Sequence, residues 1–175
     1  MKKAILFFSI LISSTLFAQK EVHFYNMSAY DIYISYIFTT TNMDTDGSGS
    51  PKLSSVNPVI VTSGTTYSAI DASTSAPFRF PYNDFSGISS WMTSGGGTIS
   101  STIAYTVFGS GQKFYFAKVA VDDASLPIAD GGNIGQDFGD SQSYIPGTYV
   151  DFYFVENYPD PVNNPNWIIY SILAI

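Results

Sequence analysis

Within the stretch Thr41 to Val56, the residues Asn42, Asp44 and Asp46 alternate and Gly47 follows. A calcium loop opens this way: oxygen ligands at positions 1, 3 and 5 converge on a hard cation, and glycine at position 6 permits the sharp turn. The match stops at position 12, where Leu53 stands in place of a bidentate glutamate. Calcium is therefore the one cofactor the sequence offers, and a solvated Asp/Gly/Ser loop is the competing reading. A second acidic stretch, Asp122 to Asp140, holds five Asp and four Gly. Its run Gly131-Gly132-Asn133-Ile134-Gly135-Gln136-Asp137 is one residue too long for a calcium-binding glycine repeat and occurs once, so it reads as a flexible surface loop.

Three planar side chains could meet a ligand. Trp91 follows the turn region Gly87–Ser90, and Trp167 follows the proline-rich stretch Tyr158–Asn166. An indole beside Asp and Asn is the chemistry of sugar recognition, with ring planes for apolar sugar faces and short polar groups for hydroxyls. Burial in the core is the alternative for both. Arg79, the single arginine, lies between Phe78 and Phe80 with Pro77 and Pro81 outside them. It would recognise a carboxylate or phosphate, or form a structural ion pair.

Catalysis finds little support. His23 is the only histidine, so any Ser-His-acid relay would have to use it, and no G-x-S-x-G elbow is present. With one His and no Cys, the common zinc sets are excluded. Asp151, Glu156, Asp122 and Asp123 leave two-carboxylate glycoside hydrolysis chemically open, but no spacing singles out a pair. The expectation is a protein that is not an enzyme.

The elements that must position these residues are strands. Leu, Glu and Lys are scarce after residue 18, while Tyr, Phe, Thr, Val and Ile abound. Ile99, Ile103, Tyr105 and Val107 alternate with Ser100, Thr102, Ala104 and Thr106, and Tyr30, Ile32, Ile34, Tyr36 and Phe38 alternate along one face. No window beyond the first residues repeats at 3.6. Strands are expected at 22–27, 30–40, 58–62, 66–70, 76–81, 98–108, 113–121, 148–156 and 167–174. Ser63-Gly64 reads as a hairpin turn, Gly109-Ser110-Gly111 as another, and Pro146-Gly147 as the centre of a type II turn. The fold class is all-β, an antiparallel β-sandwich or jelly roll of about nine strands, with a closed β-barrel as the alternative. Phe114–Val121, Tyr149–Val155 and Trp167–Ala174 are largely apolar on both faces. That is expected of central strands or of a surface that meets another subunit. The last strand is expected in a sheet interior.

Residues 1–18 read as a secretory signal peptide: Lys2 and Lys3, the apolar run Ala4 to Ile12, then a polar stretch to Ala18. The apolar run is about half the ~20 residues a spanning helix needs. Removal after Ala18 leaves a single domain over 19–175, not an integral membrane protein, in a secreted or periplasmic setting. The absence of cysteine favours a bacterial one. In that domain five cations face fourteen acids, a balance of −9, which repels phosphate backbones, so nucleic acid is not an expected partner. Asp outnumbers Glu and belongs in turns and loops, where the charge should concentrate. The functional expectation is a secreted, non-catalytic binding module for carbohydrate or another surface molecule. A structural or self-associating exported protein, a homo-oligomer, is the alternative. A toxin or effector, hinted at only by the Gly/Ser/Thr-rich region Ser94–Thr106, is the weaker third.

Overall fold

The computed structural model of the chain describes residues 20–40, 52–70, 88–108, 112–136, 141–162 and 167–175. The leader 1–18, the loop ligands Asn42, Asp44 and Asp46, Arg79 and the strand expected at 76–81 lie outside the described residues.

Two open sheets pack as a β-sandwich. The smaller holds β1 (Lys20–Asn26), β5 (Thr66–Ile70), β10 (Tyr144–Ile145), β11 (Phe152–Asn157) and β12 (Ile168–Ala174), in the order β10-β11-β12-β1-β5. The larger holds β2 (Ile32–Thr40), β3 (Lys52–Ser55), β4 (Val59–Val61), β6 (Ser90–Thr93), β7 (Thr98–Ser100), β8 (Lys113–Val121) and β9 (Gly131–Gly135). Its order is β7-β6-β3-β2-β8-β9, with β4 also pairing β2. Among the described strands the ladders are antiparallel except β1 with β12, and one isolated parallel bridge joins Ile134 to Gln142. The final strand therefore sits inside its sheet, as expected, and so do the other two apolar strands, β8 and β11.

Alternation builds the core. On the smaller sheet Val22, Phe24, Phe152, Tyr170 and Ile172 turn inward, and on the larger Ile34, Ile37, Leu53, Trp91, Phe114 and Val119 meet them. Each fully buried large apolar side chain contributes on the order of 2 kcal/mol. At the crossing from β1 to β2, Asn26 is buried and saturated. Its Nδ2 donates to the Tyr30 and Val61 carbonyls at 2.8 and 2.7 Å, and its Oδ1 accepts from the Ser28 N–H and hydroxyl at 3.1 and 2.7 Å.

Four expectations are corrected. Residues 98–108 are not one strand: after β7 the chain turns into helix α1 (Ser101–Phe108). The Ser100 hydroxyl caps it by accepting the Ile103 N–H at 3.3 Å, and the buried Ser101 and Ala104, with Phe108 half-buried, fall at helical spacing. The region Ser94–Thr106 is thus a turn, a short strand and most of a helix. Neither glycine-marked turn closes a hairpin. Gly64, at φ 72°, turns the corner from β4 in one sheet to β5 in the other, and β8 pairs with β2 and β9, not with β7. Gly147 does not have the positive φ of a type II turn. It is needed instead for close approach, because a Cβ there would lie 2.1 Å from the Val150 carbonyl oxygen and 2.8 Å from Asp130.

The fourth correction concerns Gly131–Gly135, which is strand β9, not a loop. At Gly131 a Cβ would lie 2.3 Å from the Val119 carbonyl oxygen, and at Gly135 2.3 Å from that of Tyr115. Only glycine lets this strand lie so close to β8. Asp130 anchors its start: the buried carboxylate accepts the N–H groups of Thr148, Tyr149 and Val150. The remaining acid falls where expected, since every aspartate among the described residues lies outside the strands.

Candidate functional site

The outward face of the larger sheet owes its character to a bulge. The register of β2 against β8 shifts between Ile34 and Tyr36. Ile32 and Ile34 therefore point inward, while Tyr36 and Phe38 do not follow them; Ile37 and Thr39 do. The expected common face from Tyr30 to Phe38 is corrected on this point. One extra residue in a strand sends every later side chain to the opposite face. The Ser55 hydroxyl accepts the Ile37 N–H just past the irregularity, at 2.8 Å.

Three rows of side chains result, running across the strands. The first is Thr98, Met92, Ser54, Phe38, Phe116 and Gly135, in register over six strands, a span of roughly 24 Å at the usual strand spacing. The second is Tyr36, Lys118 and Asn133, and the third is Ile60, Tyr33, Ala120 and Gly131. Phe38 stacks on Phe116 with centroids 4.3 Å apart, and Tyr36 lies 5.9 Å from Phe38. Tyr36 and Met92 are each 38 % exposed and Ile60 54 %.

Two hollows of nearly equal size adjoin these rows. One, about 370 Å³, is lined by Phe38, Ser54 and Met92 and by the turn Thr93, Ser94 and Gly96. The other, about 350 Å³, is lined by Lys118, Asn133, Gln142 and Ile145, with Gly131 and Gly132 in place of side chains. Gly131, one of the glycines that let β9 approach β8, is thus also part of this hollow's wall. An aromatic floor edged by amides, a hydroxyl and an ammonium can lie against an apolar ring face and hydrogen-bond its substituents.

Charge is unevenly divided between the sheets. No strand of the larger sheet contains Asp or Glu, and its strands carry Lys52, Lys113 and Lys118. The smaller sheet carries Glu21 and Glu156, the only glutamates in the chain, and Lys20. Lys20 is buried, donating to the Gln112 carbonyl at 2.7 Å. Desolvation, aided by repulsion from Lys113, brings its pKa down to about 8. Glu156 accepts from Gln136 Nε2 at 2.7 Å and from the Tyr158 hydroxyl at 2.5 Å, and that bond with burial pushes the Tyr158 pKa up to about 12.

The outward face of the smaller sheet brings together what the sequence kept apart. His23 Nδ1 lies 2.8 Å from Ser68 Oγ, and its Nε2 lies 3.0 Å from Glu21 Oε2. These are the residue types of a nucleophilic relay. They stand on neighbouring strands, however, where Ser68 and Glu21 are rungs of the β1–β5 and β1–β12 ladders. Acyl transfer also requires donors converging on a bound carbonyl, and here the His23 ring is itself stacked on Tyr25, with centroids 5.8 Å apart. The next row is Tyr25, Leu173, Tyr153 and Tyr144. Tyr144 stacks on Tyr153 at 4.8 Å, and both hydroxyls lie 3.4 Å from Asp151 Oδ2.

Of the residues singled out in the sequence, Trp91 is a core residue. It is 0 % exposed, its Nε1 donates to Ser101 Oγ at 3.2 Å, and that hydroxyl donates to the Ile88 carbonyl at 2.8 Å. It therefore has no face to offer a ligand, because it points inward from β6 while Met92 points out. Trp167 is half-buried, with its Nε1 enclosed and without a hydrogen-bond partner among the described residues. Neither belongs to the aromatic rows. Among the described residues, no group of three or more His, Cys, Asp or Glu could hold a metal ion. No helix among them is long and apolar enough to cross a membrane.

Comparison with known proteins adds no relative: no protein-family model, no curated protein and no solved structure matches this chain.

Proposed function

We propose that this chain is an exported, non-catalytic binding module whose ligand, a glycan, lies along the outward face of the larger sheet. The observation that carries this reading is the row from Met92 through Phe38 and Phe116 to Gly135, with one hollow lined by Phe38 and Met92 and another by Lys118 and Asn133 of the next row. Aromatic planes suit the apolar faces of sugar rings. Ser54, Asn133 and Gln142 supply short polar groups at the rims. Export rests on the leader-like opening of the sequence, and a bacterial periplasm or exterior on the lack of cysteine.

A glycan array probed with the purified protein, with and without calcium, tests the reading. Binding that Tyr36→Ala removes supports it, and a blank array in both conditions defeats it. Calcium at Asn42, Asp44 and Asp46 is part of the same proposal only if binding or the melting temperature changes when millimolar calcium is added.

A second reading is favoured by one observation on the other face. Tyr25, Tyr153, Tyr144 and Val155 are exposed side by side on the smaller sheet. Such a row suits contact with another protein, including a second copy of this chain. A defined oligomer on size-exclusion chromatography, broken by Tyr153→Lys, would favour it.

A further inference from the structure

Resting on the glycan reading above, we infer that the ligand is an acidic polysaccharide, and that its carboxylate-bearing unit sits in the hollow at Lys118. From residue 19 onward the chain has a balance of −9, and a face built at random from such a chain would be acidic. The larger sheet is the opposite, with three lysines and no carboxylate in its strands. Lys118 is the member of that set on the aromatic face: it is exposed, in register with Tyr36 on one side and Asn133 on the other. It lines the hollow that Gly131 and Gly132 leave open, together with the amides of Asn133 and Gln142.

An ammonium and two side-chain amides around one hollow supply donors for a carboxylate and its neighbouring hydroxyls. Phe38, Ser54 and Met92 around the other hollow supply no charge. Phe38, which lines the neutral hollow, stacks on Phe116, and Phe116 stands two residues before Lys118 on β8. A chain of sugar rings crossing the strands would thus meet a charged subsite and a neutral one in succession. The negative balance elsewhere has a role in this scheme. It keeps polyanions off acidic parts of the surface, so that a ligand able to reach the Lys118 hollow gains from it.

The test starts from an array holding neutral, uronate-bearing and sialylated oligosaccharides. It continues with titration of polygalacturonate and of its methyl ester, which has the same backbone without the charge. The expected result is that acidic members dominate among the glycans bound. Their affinity should fall about tenfold or more in Lys118→Gln, a larger factor than for any neutral member bound. Raising the salt from low to 0.5 M should weaken acidic binding selectively. Binding confined to neutral glycans, or an acidic preference that survives Lys118→Gln, overturns the inference while leaving the glycan reading in place. A blank array removes both. Equal affinity for single-stranded DNA also overturns it, since that would reduce the site to general attraction for polyanions. Circular dichroism of Lys118→Gln checks that the exposed substitution leaves the fold intact.

Discussion

The two outward faces of this sandwich are built from the same pleat, yet they treat polar groups in opposite ways. On the smaller sheet the polar side chains hold one another: Glu21 to His23 to Ser68 in one row, and Tyr144 and Tyr153 to Asp151 beside the next. On the larger sheet aromatic rings hold one another, and the polar groups stand around hollows. A ligand on the first face must break existing bonds before it makes its own. On the second it meets stacked rings and the backbone of glycines. Polar residues that already satisfy each other describe a finished surface, whereas stacked rings beside glycines describe a more open one.

The sharpest way to break that contrast is to remove what keeps the second face open. Asp130→Ala deletes three charge-assisted bonds to the N–H groups of Thr148, Tyr149 and Val150 and should cost about 3 kcal/mol by denaturant titration. Gly135→Ala, which drives a methyl group into the β8 backbone, should cost a similar amount. Both losses should fall on the Lys118 hollow first, with hydrogen exchange rising in β9 before β1. Acid should act in the same direction. Burial opposes the charge on Asp130, but its three backbone bonds outweigh that and hold the carboxyl below the ordinary range. Its stabilising effect is therefore present above the unfolded value of about 4 and lost as pH falls through the lower folded value. Equal loosening of both sheets in Asp130→Ala would show that the two faces share one support.

Alkali acts on the other sheet. The folded pKa of Lys20, about 8, lies below the ordinary lysine value of 10.5, so between these values the unfolded chain binds more protons and stability rises with pH. The rise should reach about 2 kcal/mol by pH 10. It should be absent in Lys20→Met, as read by thermal melts at pH 7.5, 9 and 10. Above that range Tyr158 and Tyr170, whose pKa values are raised, reverse the trend, because the unfolded chain then releases phenolic protons first.

Binding gives a smaller but more selective contrast. Tyr36→Ala should weaken glycan binding about tenfold, close to 1.4 kcal/mol, while Tyr153→Ala on the other face should leave it within about twofold. Isothermal titration of both variants with one array-identified glycan decides the matter. Equal losses would move the ligand or make the faces interdependent.

How much of this contrast the sequence carried depends on how local each cause is. The alternation of Val22, Phe24 and Tyr170, Ile172 is local, so the sandwich and its interior final strand were legible. The bulge in β2 was not, because nothing in Ile34-Ser35-Tyr36 marks the extra residue; the register against β8 imposes it. Period two therefore put Tyr36 and Phe38 on the same face as Ile32 and Ile34. Residues 101–108 misled in the same way. Their β-branched composition favours a strand, while the Ser100 cap and the packing of Ser101 under Trp91 select a helix. In β9 glycine was read as flexibility, when its role is to let two backbones approach. Trp91 drew attention by its chemistry, but pairing with β3 and β7 fixes its direction inward. The aromatic rows, finally, are a product of pairing between distant strands, and no short window contains them.

The smallest expected effect tests whether the finished face is only structural. Ser68→Ala removes the hydroxyl at His23 Nδ1, a partly buried side-chain bond on an outer face, and should cost no more than about 1 kcal/mol. If the relay geometry of Glu21, His23 and Ser68 is a lateral tie between strands, the wild-type protein should hydrolyse p-nitrophenyl acetate no faster than Ser68→Ala does at the same concentration and pH. A burst of nitrophenol that disappears in Ser68→Ala and in His23→Gln would mean the hydroxyl is a nucleophile after all. The two faces would then differ in chemistry as well as in packing. With neither burst nor difference, the row is a set of side chains that satisfy one another, and the groove on the opposite face is where a ligand finds unoccupied space.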